Sequence, residues 1–459
     1  MRAVVVGGGI AGLAATRRLE VVLPEAEVVL VEEGDRLGGK IGTERVDGFV
    51  IEAAPDSFLS RKPRGVGLCE ELGLGKELVG RRPENERAFV RRGAALHPLP
   101  PGLTGMIPTN LEALTESALL SADGRERLAA EMDVPVRPGD DDESIASFVS
   151  RRLGREAYEA FVEPLMTGIY GGDGDQLSLE ATFPQLRALE LEHGSLIRGL
   201  LAQSPERAAT PAFLTLSEGM DGLVSAVARR FERARVVTGV GARSVTRTGS
   251  GHRVELGGGE ALDADAVVVG VPAFAAAELL AALDGDLAAA LAEIPYASSV
   301  LVTFAFSEDD VVHPLDGYGY VVPRAEGTDV LACTWTSRKW EARAPEGAHL
   351  IRVYAGRYGG RELTRETDEA LLALAREELT AIGIEADPIL TRVQRWPRGM
   401  PQYVLGHLDR LARIDASLEA HPGLAVAGAA YRGVGIPDCI GSGEEAADAV
   451  ARSLATAAR

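Results

Sequence analysis

The sequence predicts an α/β fold built around a nucleotide-binding parallel sheet, and three observations carry that prediction. The first is a β-branched run, Ala3-Val4-Val5-Val6, that ends at the glycines Gly7, Gly9 and Gly12. The second is another strand, Val28-Val29-Leu30-Val31, that ends at the carboxylate Glu32. The third is the return of short buried-strand patterns far along the chain, at Ala266-Val267-Val268-Val269 and Leu424-Ala425-Val426. A lone G-x-G-x-x-G is a weak signal. Set between a strand and a helix, with a carboxylate about twenty residues beyond, it is the arrangement that cradles a dinucleotide.

Each part of that arrangement has a physical task. Gly7 lets the chain turn sharply, Gly9 lets backbone approach a pyrophosphate, and Gly12 lets the helix lie close to the sheet. Gly7, Gly8, Gly9, Ile10, Ala11 and Gly12 are therefore read as cofactor contacts. Free N–H groups at the helix N-terminus favour the phosphates by roughly 0.3–1 kcal/mol per contact. Glu32 can accept hydrogen bonds from the ribose hydroxyls and would repel a 2′-phosphate, which disfavours NADP.

A second glycine-rich loop follows, Glu33-Gly34-Asp35-Arg36-Leu37-Gly38-Gly39-Lys40-Ile41-Gly42. NAD-binding chains usually run straight on to another βα unit, so a second phosphate-facing loop with two cations points to FAD. Glu33, Arg36, Gly39 and Lys40 join the expected site; a solvated basic turn is the alternative. Lys40 stands out because the chain has only four lysines. The pattern E-x(3)-R-x-G-G-[KR] resembles the flavin domain shared by amine oxidases, carotenoid desaturases and protoporphyrinogen oxidases.

Size and composition narrow the class. A chain of 459 residues predicts two or three domains, and 46% apolar with 25% charged residues is ordinary globular composition. No stretch approaches the roughly 18 apolar residues of a spanning helix. The apolar run from Ala3 to Ala15 is the nucleotide motif, not a signal peptide. Cys69, Cys333 and Cys439 lack C-x-x-C spacing, which argues against disulfides or zinc and fits a reducing cytoplasm. A net charge of −20 works against nucleic acid and anionic lipid, and an anionic substrate would need a local basic pocket. His97, His193, His252, His313, His349, His407 and His421 show no metal-binding spacing, so no metal is expected.

Along the chain, the flavin signals come in three parts. We expect flavin-domain segments at 1–85, 208–275 and 395–459, an antiparallel-sheet substrate domain at 86–109 and 276–394, and a helical insertion at 110–207. The insertion shows helical periodicity and acidic turns such as Gly139-Asp140-Asp141-Asp142-Glu143. Apolar strands at Val300 to Phe306, Tyr318 to Pro323, Val330 to Trp335 and Leu350 to Tyr354, then a helix from about Thr367 to Ile382, suggest a sheet covered by helices. The final helix follows Gly433-Val434-Gly435-Ile436, and its N-terminal dipole can stabilise charge on a reduced flavin by up to ~2 kcal/mol.

Four stretches make the resemblance specific. They are Gly48 to Phe58 with Ala54-Pro55-Asp56-Ser57, Phe161 to Asp173 with Gly168-Ile169-Tyr170, Trp396 to Tyr403, and Ala429 to Ile440. Together they resemble the bacterial porphyrinogen oxidases of haem synthesis from end to end, with the Gram-positive variant nearest. That resemblance implies an FAD-binding Rossmann-like domain of the glutathione-reductase/amine-oxidase type and one non-covalent FAD per chain. It also implies contacts from Ala54, Pro55, Asp56, Ser57, Ala242, Trp396, Val434, Gly435 and Ile436. Two departures from the family pattern are Ala242 for a usual valine and Ala54 for a usual glycine. If Ala54 needed positive φ, alanine would cost on the order of 1 kcal/mol.

The implied activity is six-electron oxidation of coproporphyrinogen III to coproporphyrin III by O2, releasing hydrogen peroxide in haem b synthesis. The flavin carries the chemistry, so neither nucleophile nor metal is expected. Coproporphyrin ferrochelatase is a candidate acceptor of the product. Protoporphyrinogen IX is the alternative substrate; an amine or polyene oxidase is a second reading, and a redox-silent carrier on the same scaffold a third. Asp56 and Ser57 also allow an acid–nucleophile pair. Gly168 and Tyr170 are candidates to face substrate, with a packed tyrosine the other reading, and Arg87 is a candidate propionate partner or a solvated arginine.

Overall fold

The computed structural model describes residues 1–459 except 105, 140, 204–210, 250, 458 and 459. Asp140 of the acidic turn and the expected boundary at 207/208 therefore lie outside the described residues.

Five strands form a wholly parallel sheet in the order Arg235–Val237, Glu27–Val31, Arg2–Val6, Ala266–Val269 and Leu424–Val426. These strands are short and Val-rich, and nearly every residue of the central three is buried, as a sheet covered on both faces requires. One face packs on helices Ile10–Val22 and Ile436–Ala457. Those helices touch so closely that a Cβ at Gly443 would sit 2.0 Å from the Ala11 carbonyl oxygen. The other face is covered by a three-stranded meander, Ala242–Arg247, His252–Leu256 and Ala261–Ala264, and by helices Ala273–Leu280 and Gly285–Ala292.

A second sheet has seven strands, in the order Leu390–Pro401, Tyr296–Ser307, Ala348–Ala355, Val330–Trp335, Gly319–Val321, Phe89–Arg92 and Ala95–Pro98. Every pairing is antiparallel except that of Gly319–Val321 with Phe89–Arg92, two segments distant in sequence. Helix Asp368–Ala381 covers the face carrying Val302, Phe304, Ile351, Val353 and Trp335. Two of the expected divisions fall inside continuous elements. The division at 394/395 falls inside the continuous strand Leu390–Pro401, and that at 275/276 falls inside helix Ala273–Leu280. Trp396 therefore reaches the site on an edge strand of the large sheet.

Residues 122–202 build a helical cluster around Phe148, Tyr158, Phe161 and Met166, including helices Ile145–Leu153, Glu163–Tyr170 and Pro184–His193. Arg152 is fully buried there and saturated by the Glu131 side chain and the carbonyls of Glu131, Val134 and Gly194. A charge this deep survives only when paired and hydrogen-bonded.

Candidate active site

The two glycine loops meet edge to edge. Gly9 and Gly38 form an isolated parallel bridge, and the Gly38 N–H donates to the Gly8 carbonyl at 2.8 Å. Gly7 adopts φ +104°, and a Cβ on Gly12 would lie 1.9 Å from the Gly7 carbonyl oxygen, so no side chain fits there. A Cβ on Gly9 would meet nothing within 4 Å. The N-terminus of helix Ile10–Val22 thus opens, at Gly9, onto free space of the kind a phosphate fills.

Glu32 holds the first loop from below, accepting from the Gly8 N–H at 2.6 Å and the Gly34 N–H at 2.7 Å. Backbone bonds from Glu32 to Val237 and from Val240 to Glu32 lay the segment leading to Ala242 beside Glu32 and Glu33. Arg36 spends its guanidinium on the carbonyls of Leu37, Gly39 and Ile41, and so braces the second loop internally. Lys40 differs: it is half-buried, burial lowers its pKa, and among the described residues it makes no hydrogen bond or ion pair. An unpaired cation beside two open glycine loops fits a pyrophosphate.

The loop 53–57 closes against the face of the large sheet opposite helix Asp368–Ala381. Trp396 Nε1 donates to the Ala53 carbonyl at 3.0 Å, and Arg352 Nη2 to the Ala54 carbonyl at 2.8 Å. Ala54 has no positive φ, so alanine carries no strain there. Asp56 is buried and accepts from Lys339 Nζ at 3.0 Å, Trp340 Nε1 at 3.0 Å and Ser57 Oγ at 2.8 Å. Burial alone would raise its pKa, but the charges of Lys339 and Arg352 with these hydrogen bonds hold it well below the usual range. Asp56 is therefore held ionised at neutral pH, its oxygens already taken by three donors, an arrangement that suits an anchor better than a base.

The C-terminal segment arrives on a tyrosine. The Tyr403 hydroxyl donates to the Ala429 carbonyl at 2.7 Å and accepts from the Gly433 N–H at 2.8 Å. It thereby spans the turn that leads to Val434, Gly435 and Ile436. Its ring stacks on His407 at 4.1 Å, and the His407 pKa falls to about 4 through burial. Asp438 takes Lys62 at 2.7 Å and the Gly435 N–H at 3.2 Å, fixing the start of the final helix.

On helix Glu163–Tyr170, Gly168 and Ile169 are exposed whereas Tyr170 is buried, edge-on to Phe183. Its ring also lies 6.3 Å from that of Tyr403. A Cβ at Gly168 would meet only Val321, at 3.9 Å, and Val321 and Val434 pack against the same helical cluster. Arg87 is 68% exposed and paired with Asp316 at 3.0 Å, which is the solvated reading. Sequence reasoning missed Lys339, Arg352 and Tyr403. The scarcity of lysine could have flagged Lys339, whereas nothing local marks Arg352.

Among the described residues no cluster of three His, Cys, Asp or Glu could hold a metal, and no helix is long and apolar enough to cross a membrane. The glycine loops, the carboxylate beneath them and the closing tryptophan define a flavin-dependent oxidoreductase, and residues 10–451 match the model of the flavin-containing amine oxidoreductases, the family to which this chain belongs. Within it the chain is 37% identical to the coproporphyrinogen III oxidase of Bacillus subtilis (strain 168) over 456 residues, 96% of each chain. It is 33% identical to the enzyme of that name in Staphylococcus aureus (strain NCTC 8325 / PS 47), over 98% of this chain and 99% of that one. A crystal structure from Exiguobacterium sp. 255-15 superposes with a TM-score of 0.90 at 34% identity, covering 98% of both chains.

Proposed function

We propose that this protein oxidises coproporphyrinogen III to coproporphyrin III in haem b synthesis, with one non-covalently bound FAD and O2 as final acceptor. The observation that carries the reading is that the loop 53–57 meets both Trp396 and the second glycine loop, where the Ala53 N–H donates to the Gly42 carbonyl, while the Tyr403-held segment 429–436 leads into the helix that packs on Ile10–Val22. Full-length similarity to proteins named for that reaction supports the substrate.

In this reading Gly7 to Gly12 and Lys40 take the pyrophosphate, Glu32, Glu33 and Ala242 border the adenosine, and Arg36 and Gly39 shape the second loop. Ala54 to Ser57, Trp396 and Val434 to Ile436 surround the isoalloxazine, and Gly168 lies toward the substrate. Bound FAD supplies the two-electron acceptor for each of three oxidations, whose electrons pass to O2 as hydrogen peroxide. The chain itself binds and orients. The half-buried Lys339 and the buried Arg352 keep Asp56 ionised, which fixes the loop 53–57, and the N-terminus of helix Ile436–Ala457 offers positive potential to charge on the reduced cofactor. A cytoplasmic location and transfer of product to coproporphyrin ferrochelatase belong to the same reading.

The test is direct. Purified yellow protein, mixed without oxygen with coproporphyrinogen III, should lose its flavin colour and in air should form fluorescent porphyrin faster than the spontaneous rate. Turnover of a primary amine or a polyene instead would overturn the assignment. Protoporphyrinogen IX, with two propionates against four, should turn over more slowly, because each charge-assisted pair lost costs roughly 1.5–3 kcal/mol.

A further inference from the structure

We propose that Arg357 is a positioning residue for the porphyrinogen: through Glu163 it holds helix Glu163–Tyr170 in place relative to the loop 53–57, so that the substrate's seat is formed before the substrate arrives. The inference rests on the reading above, in which Gly168 lies toward the substrate. The helix has only eight residues, too few to be stable by its own hydrogen bonds. Directly before it Tyr158–Val162 form a π turn, a feature that concentrates at functional sites, and Pro164 brings no N–H to the first turn. Its position must therefore come from tertiary contacts.

Both ends of the helix are gripped from one short segment. At its start, buried Glu163 has its Oε1 3.5 Å from Arg357 Nη1, while Arg357 Nη2 donates to the carbonyls of Val322 at 3.2 Å and Val330 at 3.1 Å. Glu163 also accepts from Thr167 Oγ1 at 2.9 Å and from the Arg324 N–H at 3.1 Å. Beyond its far end, the Tyr358 N–H donates to the Gly171 carbonyl at 2.7 Å. Arg357 and Tyr358 follow strand Ala348–Ala355 directly after Gly356, whose φ of +103° suits glycine and where a Cβ would lie 2.7 Å from the Ser298 carbonyl oxygen. The same strand carries Arg352, which holds the Ala54 carbonyl. One strand thus fixes the loop 53–57 and, five residues on, the helix that bears Gly168. Removing Arg357 leaves the buried Glu163 carboxylate without its cation and releases the helix for part of the time. A ligand that needs the placed helix then binds more weakly in proportion to the fraction still placed, and once bound it reacts as before.

The experiment follows anaerobic bleaching of the flavin-loaded protein in a stopped-flow cell, with increasing coproporphyrinogen III or with dithionite, a small reductant that needs no macrocycle site. Arg357→Met should raise the porphyrinogen concentration for half-maximal bleaching at least about tenfold and leave the limiting rate within about twofold. Bleaching by dithionite and FAD affinity should match the parent, and Arg357→Lys, which keeps the charge, should largely restore half-saturation. Adding Glu163→Gln to Arg357→Met should weaken substrate binding little further, because the two act as one pair. A parent-like half-saturation in Arg357→Met overturns the inference, as does a loss of limiting rate matched by slower dithionite bleaching, which marks general loosening. If Arg357→Met does not fold, Thr167→Val decides: it removes only the hydroxyl on Glu163 and should raise half-saturation severalfold, and a parent-like value overturns the inference. A parent protein that dithionite bleaches and coproporphyrinogen III does not overturns the substrate reading itself, and this inference with it.

Discussion

Replacing Gly12 by alanine adds a single methyl group at the point where helix Ile10–Val22 crosses the first glycine loop. That methyl would lie 1.9 Å from the Gly7 carbonyl oxygen, where real contacts begin near 3.0 Å, so helix and loop must part by about 1 Å. Both partners are backbone and neither can rotate away. Overpacking by one methylene costs about 1–3 kcal/mol, and an immovable partner puts this case near 3. If the strain falls on the cradle, flavin affinity drops by roughly two orders of magnitude. Gly9→Ala is the internal control. Gly9 sits at φ −69° and ψ 173°, which alanine adopts freely, and its Cβ meets nothing within 4 Å. Its apoprotein should therefore unfold within about 0.5 kcal/mol of the parent, while flavin binding weakens because the methyl enters the space at the helix N-terminus. Urea unfolding of the two apoproteins and fluorescence titration with FAD measure both quantities. Parent-like stability and binding in Gly12→Ala, or equal destabilisation of the apoprotein by both substitutions, would refute the reasoning.

Three further outcomes follow from single side chains. Tyr403→Phe removes the hydroxyl joining Ala429 and Gly433; FAD affinity should fall by about 1–3 kcal/mol, read by titration, while the helical cluster keeps its circular dichroism. Asp56→Asn strips the partner from Lys339 and should destabilise the protein by about 3 kcal/mol at neutral pH. The Asp56 pKa is depressed from its ordinary 3.8, so this contribution is complete above that value and is lost as pH falls below it, and parent and variant should converge in acid melts. His252 is buried with both ring nitrogens unpartnered, and burial lowers its pKa from 6.5 to about 4. The unfolded chain then takes the proton first, so stability is complete above pH 6.5 and falls between 6.5 and 4, by up to about 3 kcal/mol. His252→Leu should flatten that part of the pH–stability curve, and an unchanged slope would contradict the assignment.

How far the site could be read beforehand depended on the range of the forces involved. The glycine loops, Glu32 and Lys40 were legible because the constraint is local. A sharp turn, a close helix crossing and a free helix terminus each demand a residue type at a fixed spacing, and Gly7, Gly9 and Gly12 meet those demands within one βα unit. The strand Leu390–Pro401 was not legible as one element, because its alternation is interrupted by Trp396-Pro397 and its register comes only from pairing with Tyr296–Ser307. The edge-on contact of Tyr170 with Phe183 was not legible either, because nothing in the local sequence sets it.

By itself, then, the sequence determined the parallel core, the two glycine loops and the candidate flavin segments, since short-range backbone geometry writes its requirements into neighbouring residues. Only the tertiary structure decided which charges serve the site. Lys339 reaches Asp56 across 283 residues and Arg352 reaches Ala54 across 298. Arg36, on the other hand, turns back onto its own loop. An arginine's role is fixed by what surrounds its guanidinium after folding, and in a chain with 44 arginines among 48 basic residues identity alone distinguishes none of them.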